Sequence, residues 1–461
     1  MGEVKLYTRR DLMRLALVGI VGAMALGPSN TSADLTRSLT AAHMMAFGGA
    51  KRAPEGFLIT FTSGTTPSSI SLSAEYAGPK TAALALYDSG DGVWTAYTSR
   101  TIPVNGNYVA FKGDWRTSAG TYAYMFKSTL SDAAYTCRFS GAFTEYPTHL
   151  EAYREMFREC SRVTEIADNP IPNLTGAPAE HMFSYACYGM SLVTSLPANF
   201  MNTSGLAGAP AAGMFAFACS DMAKVTLLPE NFLNTSGLTG APAEGMFTGA
   251  CGDMVSVTSL PANFMNTSGL TGAPAVNMFY NVCQSMSSVT SLPENFMNTS
   301  GLTGAPAANM FSHACQSMSS VTSLPANFMN TSGLAGAPAD GMFTGACSGM
   351  AKVTLLPENF MNTSGLAGAP AAEMFYYTCA GMSSVTNAYV FLMSPNITFT
   401  AENVASSGAL TYAFSSMTKF PGSVMWGDQN LFTAFAPTSD VNTIVNSPLI
   451  QGYTEAGANW K

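Results

Sequence analysis

Pro210-Ala211-Ala212-Gly213-Met214-Phe215-Ala216-Phe217-Ala218-Cys219-Ser220-Asp221-Met222 is the stretch on which the fold turns, with Val225-Thr226-Leu227-Leu228-Pro229 and Asn231-Phe232-Leu233-Asn234-Thr235-Ser236-Gly237 completing its unit. Met214, Phe215, Ala218, Cys219 and Met222 stand at i, i+1, i+4, i+5 and i+8, an apolar face at helical spacing. Pro210 sits where the first turn of a helix accepts proline. Val225–Pro229 is short and β-branched and reads as a brief strand. The segment from Asn231 to Gly237 reads as a turn, its asparagines and serine bonding local backbone and its glycine free to take positive φ. One helix and one strand of this size cannot bury their own apolar faces; stacked copies can.

The copies are present. Met-Phe recurs at Met182-Phe183, Met214-Phe215, Met246-Phe247, Met278-Phe279, Met310-Phe311, Met342-Phe343 and Met374-Phe375, always 32 residues apart, and Cys187 to Cys379 keep the same beat. A shorter, more charged copy begins at Met156, and a worn one lies near Phe414, Met417 and Phe420, as expected of solenoid caps. A ten-residue segment, Ala223–Phe232, recurs as Ala351–Phe360, 128 residues later, so a block of four units has been duplicated.

Cys187-x-x-Met190-x-x-Val193-x-x-Leu196-Pro197 and Phe200-x-Asn202-Thr203-Ser204 resemble the repeats of BspA-like leucine-rich-repeat surface proteins. The resemblance implies a curved solenoid on a bacterial surface that binds other molecules. The fold expected is an α/β repeat solenoid, leucine-rich-repeat-like, with one short strand and one helix per 32-residue coil, preceded by a small antiparallel β-sandwich domain. The β domain is expected at 53–148, with strands at 57–62, 69–73, 93–97 and 108–111 and a hairpin turn at Asp91-Gly92. The solenoid is expected at 149–425 and a C-terminal cap at 426–461.

Residues 1–33 are similar to a twin-arginine export signal: Arg9-Arg10 and Leu12-Met13 precede the apolar run Leu15–Leu26, with Thr31-Ser32-Ala33 as the exit and 34–52 as a linker. That run is too short to span a bilayer, and no transmembrane span is expected elsewhere. The expected localisation is exported: cell surface, periplasmic or extracellular. Charged residues are 10% of the chain, and 16 of the 20 basic ones precede residue 163, so no basic stripe exists for nucleic acid.

Chemistry is sparse. One cysteine per coil forms a column of buried free thiols rather than a four-ligand cluster, so neither a metal nor a cofactor is expected. The four histidines are scattered. Glu151, Glu155 and Glu159, interleaved with Arg154, Arg158 and Arg162, read as a salt-bridged capping helix. An enzyme is not expected; a glycan-degrading site in 53–148 would need paired carboxylates that are not there. The Asn-Thr-Ser sequons are expected as turns.

Function is sought where coils differ. The variable positions around each Met-Phe give Tyr185, Phe217, Tyr280, Asn281, His313, Tyr376 and Tyr377 as a partner-binding ridge on the outer helix face, for a protein or glycan ligand. The threonines from Thr194 to Thr354 offer a second, hydroxyl-lined face. The alternatives are a structural spacer and a phage or prophage tail-associated scaffold.

Overall fold

Gly213, Phe217 and Asp221 all take positive φ, at 56°, 52° and 64°, and this four-residue beat defines the coil. Between them, alternate backbone N–H groups close tight turns: Met214 onto Ala211, Ala216 onto Gly213 and Ala218 onto Phe215. The intervening N–H groups of Gly213, Phe215, Phe217, Cys219 and Asp221 donate to carbonyls of Glu244, Met246, Thr248, Ala250 and Gly252 in the next coil, at 2.7–3.0 Å. The result is a ribbon of turns with two residues facing in and two facing out. Its central left-handed residues are Tyr124, Glu155, Tyr185, Phe217, Gly249, Asn281, His313, Gly345, Tyr377 and Tyr412, ten stacked ribbons among the described residues. The computed structural model describes residues 56–143, 150–170, 174–387, 390–398, 406–417, 419, 423–426 and 429–430.

Two further tracks tie the coils together. Thr258, Thr290, Thr322, Thr354 and Thr386 each donate a backbone N–H to the threonine carbonyl one coil earlier, at 2.9–3.4 Å. At the Asn-Thr-Ser turn, Asn202 Oδ1 accepts from Ser204 N and Oγ, while Thr203 Oγ1 donates to the Asn234 carbonyl at 2.9 Å. The same bonds recur at Asn234, Asn266, Asn298 and Asn330, whose residues are buried, so these sequons serve as turns. Gly237 follows, and a Cβ there would fall closer than 3.0 Å to the carbonyl oxygen of Leu206. Glycine is required by approach of the neighbouring backbone.

Inside, Met214, Phe215, Cys219, Met222, Val225, Phe232 and Leu233 are fully buried, and their counterparts repeat this coil by coil. Phe183, Phe215, Phe247, Phe279, Phe311, Phe343 and Phe375 stack with ring centroids 5.3–5.8 Å apart. A second stack runs from Phe200 to Phe360. Each such side chain contributes roughly 1.5–3 kcal/mol by leaving water.

The N-terminal strands are β1 (Phe57–Gly64), β2 (Ser69–Ser71), β3 (Ala85–Asp88), β4 (Trp94–Ala96), β5 (Thr101–Pro103), β6 (Tyr108–Gly113) and β7 (Tyr135–Ser140), with β8 (Val163–Ile166) following the second ribbon. They form one six-stranded sheet, β4-β3-β6-β1-β7-β8, and a separate β2-β5 pair. The β7-β8 pairing is parallel and the others in the sheet are antiparallel. Thr194 N bonds the Thr164 carbonyl in β8, so the sheet runs on into the threonine track. The ribbon centred on Tyr124 lies between β6 and β7 in the chain, and Ser73 N closes on its Met125 carbonyl. Residues from Phe57 to Met417 share one apolar core. Two two-residue strands, β9 (Thr175–Gly176) and β10 (Gly205–Leu206), pair in parallel, and β11 (Val390–Met393), β12 (Ser423–Trp426) and β13 (Gln429–Asn430) form a three-stranded mixed sheet.

The α/β solenoid is thereby overturned. Among the described residues no 32-residue coil contains a helix; the helical backbone is the 3-10 turn Ala82–Leu84 and residues 406–407, at the start of the last ribbon. The apolar pattern i, i+1, i+4, i+5, i+8 has a period of four, which suits two-in, two-out turns, whereas an α-helix turns every 3.6 residues. The segment read as a strand, Val225–Pro229, forms no strand. Glu151, Glu155 and Glu159 are left-handed ribbon positions, with φ of 51–60°, and form no capping helix. The antiparallel sandwich is also corrected: strands stand at the expected places, but they join a mixed sheet whose last member, β8, comes from the repeat region. The signal at 1–33, the linker at 34–52 and all of the cap at 426–461 except Trp426 and β13 lie outside the described residues.

Gly237→Ala should lower stability by about 1–3 kcal/mol, because the new Cβ meets backbone that cannot yield. Gly252→Ala, whose Cβ would lie 3.3 Å from the Ser220 hydroxyl, should cost about 1 kcal/mol or less. Equal thermal midpoints for the two variants would contradict the packing described. All nine cysteines are free and buried. Burial pushes the Cys137 thiol up to about 12 and raises Cys160, Cys219, Cys251, Cys315 and Cys347 well above the ordinary 9.0. Raised folded values favour the native state below pH 9 and lose that contribution as pH rises through them, by about 1.4 kcal/mol per thiol per pH unit. A thiol-titrating reagent should find none of the nine in the native protein at neutral pH and all of them after unfolding, and the unfolding midpoint should fall steeply above pH 9.

Candidate functional site

The ribbons present their outward residues as columns along the array. Tyr185, Phe217, Asn281, His313 and Tyr377 occupy one column, all at φ of 52–55°. Tyr280 and Tyr376 stand in the column beside it, at the preceding residue. All seven are half-buried. They lie on a turn ribbon rather than on the helix face expected of them, and they form three groups rather than one ridge. Tyr185 stacks on Phe217 at 4.8 Å. Tyr280 meets the His313 ring edge-on at 6.4 Å. Tyr376 packs edge-on against Tyr377 at 4.6 Å, and Tyr377 lies 4.8 Å from Tyr412.

The left-handed backbone aims each outward side chain along the array, over the next coil. A Cβ at Gly249 would collide with the Phe217 ring, and one at Gly345 with the His313 ring. Gly213 lies likewise under His181, and Gly341 under Asn309. The column is therefore shingled: a bulky residue is followed by glycine, or by a ring on which it can stack. This coupling explains why large residues and glycines alternate at positions where the interior residues are constant.

His313 sits in such a shingle with its Nδ1 buried and unbonded, beside the equally unbonded Oδ1 of Asn281 in the coil before. Burial lowers the His313 pKa, opposed by a bond with Gln316 and by Glu373. Among the described residues no group of three His, Cys, Asp or Glu is placed to hold a metal. The threonine face is regular and open: Thr194, Thr226, Thr258, Thr290, Thr322 and Thr354 are all exposed, flanked by Leu227 and Leu355 at 65% and 58% exposure.

At the N-terminal end the same columns are occupied by charge. The Arg158 guanidinium lies 4.9 Å above the Tyr185 ring and 5.6 Å from Tyr188. Arg154 lies 5.6 Å above Tyr124 and pairs with Glu151. Both are tied to Glu155, which Lys127 also reaches at 2.9 Å. Burial pushes the Glu155 carboxyl up, but bonds from Lys127 and Arg158 outweigh it and hold the group below its ordinary 4.5. Lys127 also bonds Glu75 at 2.7 Å, tying the first ribbon to the segment after β2. Tyr188, Tyr412 and Glu373 were not singled out from sequence, and Arg154 and Arg158 were read there only as members of a salt-bridged helix, not as partners of tyrosine rings. Tyr188 aligns with Ser220, Gly252, Gln284 and Gln316, so the variability of its column was there to be read.

Comparison with family models, with curated proteins and with solved structures finds no match for the chain. Among the described residues no helix is long and apolar enough to cross a membrane.

Because the Glu155 pKa is depressed, its contribution to stability is complete above pH 4.5 and is lost as pH falls through the lowered value. Glu155→Gln should destabilise the N-terminal ribbons by about 1–3 kcal/mol at neutral pH, with the difference from wild type shrinking in acid. Hydrogen exchange at residues 122–160 is the measurement; a pH-independent difference would remove the carboxylate from its assigned role.

Proposed function

We propose that this chain is an exported bacterial surface or envelope protein whose array binds another protein or a glycan through its outward face. The observation that carries the reading is the contrast within one ribbon. Inward residues repeat coil after coil at full burial, while outward residues change and gather half-buried aromatic rings into local groups. Aromatic anchors on a rigid, pre-organised surface supply much of the energy of molecular recognition. The Cys-x-x-Met-x-x-Val and Asn-Thr-Ser pattern adds the resemblance to BspA-like surface proteins, and the Arg9-Arg10 segment adds export.

A spacer reading is less well supported. A spacer would hold a separable head away from the cell, yet the 57–140 sheet shares one core with the array and closes its first coil.

The test is binding of the purified full chain to glycan and protein arrays, against the double variant Tyr185→Ser, Phe217→Ser. Wild type should bind at least one arrayed ligand, and the variant should bind it about tenfold more weakly with an unchanged fold. Absence of any binding, or equal binding by the variant, would return the weight to the spacer.

A further inference from the structure

The chain carries within itself an example of what its outward tyrosines hold. In the first coils each tyrosine of the central column is faced by a guanidinium, Arg154 on Tyr124 and Arg158 on Tyr185, and each guanidinium is paired with a carboxylate from the left-handed positions, Glu151 or Glu155. Planar cations suit this arrangement because the ring face is electronegative and the carboxylate fixes the remaining donors.

The same elements return six coils later. Tyr376, Tyr377 and Tyr412 form an aromatic group on the outward face, and Glu373 takes the left-handed position that Glu151 takes in its own coil. Glu373 is exposed and lies over Gly408 of the next coil. Among the described residues no lysine or arginine is paired with Glu373. The reason is compositional: beyond Arg162 the chain contains no arginine and four lysines against fifteen acids, a net charge of 4 − 15 = −11. The C-terminal coils repeat the carboxylate and the rings of the N-terminal site in a field that attracts cations.

We propose that the patch formed by Tyr376, Tyr377, Tyr412 and Glu373 docks an arginine-bearing basic segment of a partner protein. This rests on the binding reading above and gives its partner a chemistry. The guanidinium stacks on the tyrosine rings and pairs with Glu373, as Arg158 does with Tyr185 and Glu155. The surrounding negative charge speeds encounter and disfavours anionic partners.

The experiment is calorimetric titration of the full-length chain with hexa-arginine and hexa-lysine peptides at about 150 mM salt, where long-range attraction is screened. Hexa-arginine should bind more tightly than hexa-lysine. Glu373→Gln and Tyr376→Ser should each weaken it about tenfold, the scale of a cation–π or paired-charge contact. Glu230→Gln, at an exposed acid away from the patch, should leave it unchanged. Glu373→Gln keeps size and backbone preference, so the result does not depend on the tyrosine variant folding well. Binding that is equal in all variants, equal for both peptides, or lost alike in Glu230→Gln would overturn the proposal. An array ligand lost in the Tyr185/Phe217 variant but indifferent to Glu373→Gln would overturn this inference and leave the broader reading standing. No array ligand, together with Glu373-dependent hexa-arginine binding, would do the reverse.

Discussion

Half of the backbone donors in every ribbon point out of their own coil. Phe215, Phe217 and Cys219 have no partner for their N–H groups except the carbonyls of the coil that follows. A buried unbonded N–H costs about 1–3 kcal/mol, so a lone coil is not a stable object and the array is obligatory. Everything else follows from that need. The coils must lie close enough for the glycine after Asn-Thr-Ser to be irreplaceable, the phenylalanines must stack flat, and the outward side chains must fold over their neighbours.

An array with this need must be started by something that is not a coil. The six-stranded sheet supplies the start: it embeds a first ribbon around Tyr124, passes β8 into the threonine track and clamps the junction with Lys127, Glu75 and Glu155. Lys127, Arg154 and Arg158, three of the basic residues ahead of residue 163, have their structural account here. These cations sit where the pattern is founded, while the later coils contain four lysines and no arginine.

The repeat, the buried thiol column and the outward columns were legible in the sequence, because each coil could be compared with six others; the ribbon around Tyr124, ahead of the expected start at 149, was not. The backbone of the coil was not. Met214, Phe215, Ala218, Cys219 and Met222 satisfy a helix within one coil, since periods of 3.6 and 4 diverge by only a fraction of a turn over nine residues. Gly213, Gly245, Gly249, Gly341, Gly345 and Gly349 carried the contrary signal. Glycines every fourth residue weaken a helix and suit a left-handed turn. Of the site, the identity of the outward residues was readable, but their grouping was not. The stacking of Tyr185 on Phe217 and the lean of His313 over Gly345 follow from the sign of φ, which a helical reading conceals.

The ribbon bonds run from the N–H of one coil to the carbonyl of the next, and the threonine bonds run back to the coil before, so each pair of neighbours is joined by several tracks. Under a pull applied at the two ends of the chain, the coils are therefore links in series, each held to its neighbour by a small cluster of bonds loaded together. Extending one 32-residue unit releases on the order of 100 Å of chain in place of a step of about 5 Å. Near-identical links leave no coil singled out to hold or to give way, and the chain length stored in each is roughly twenty times its step along the array.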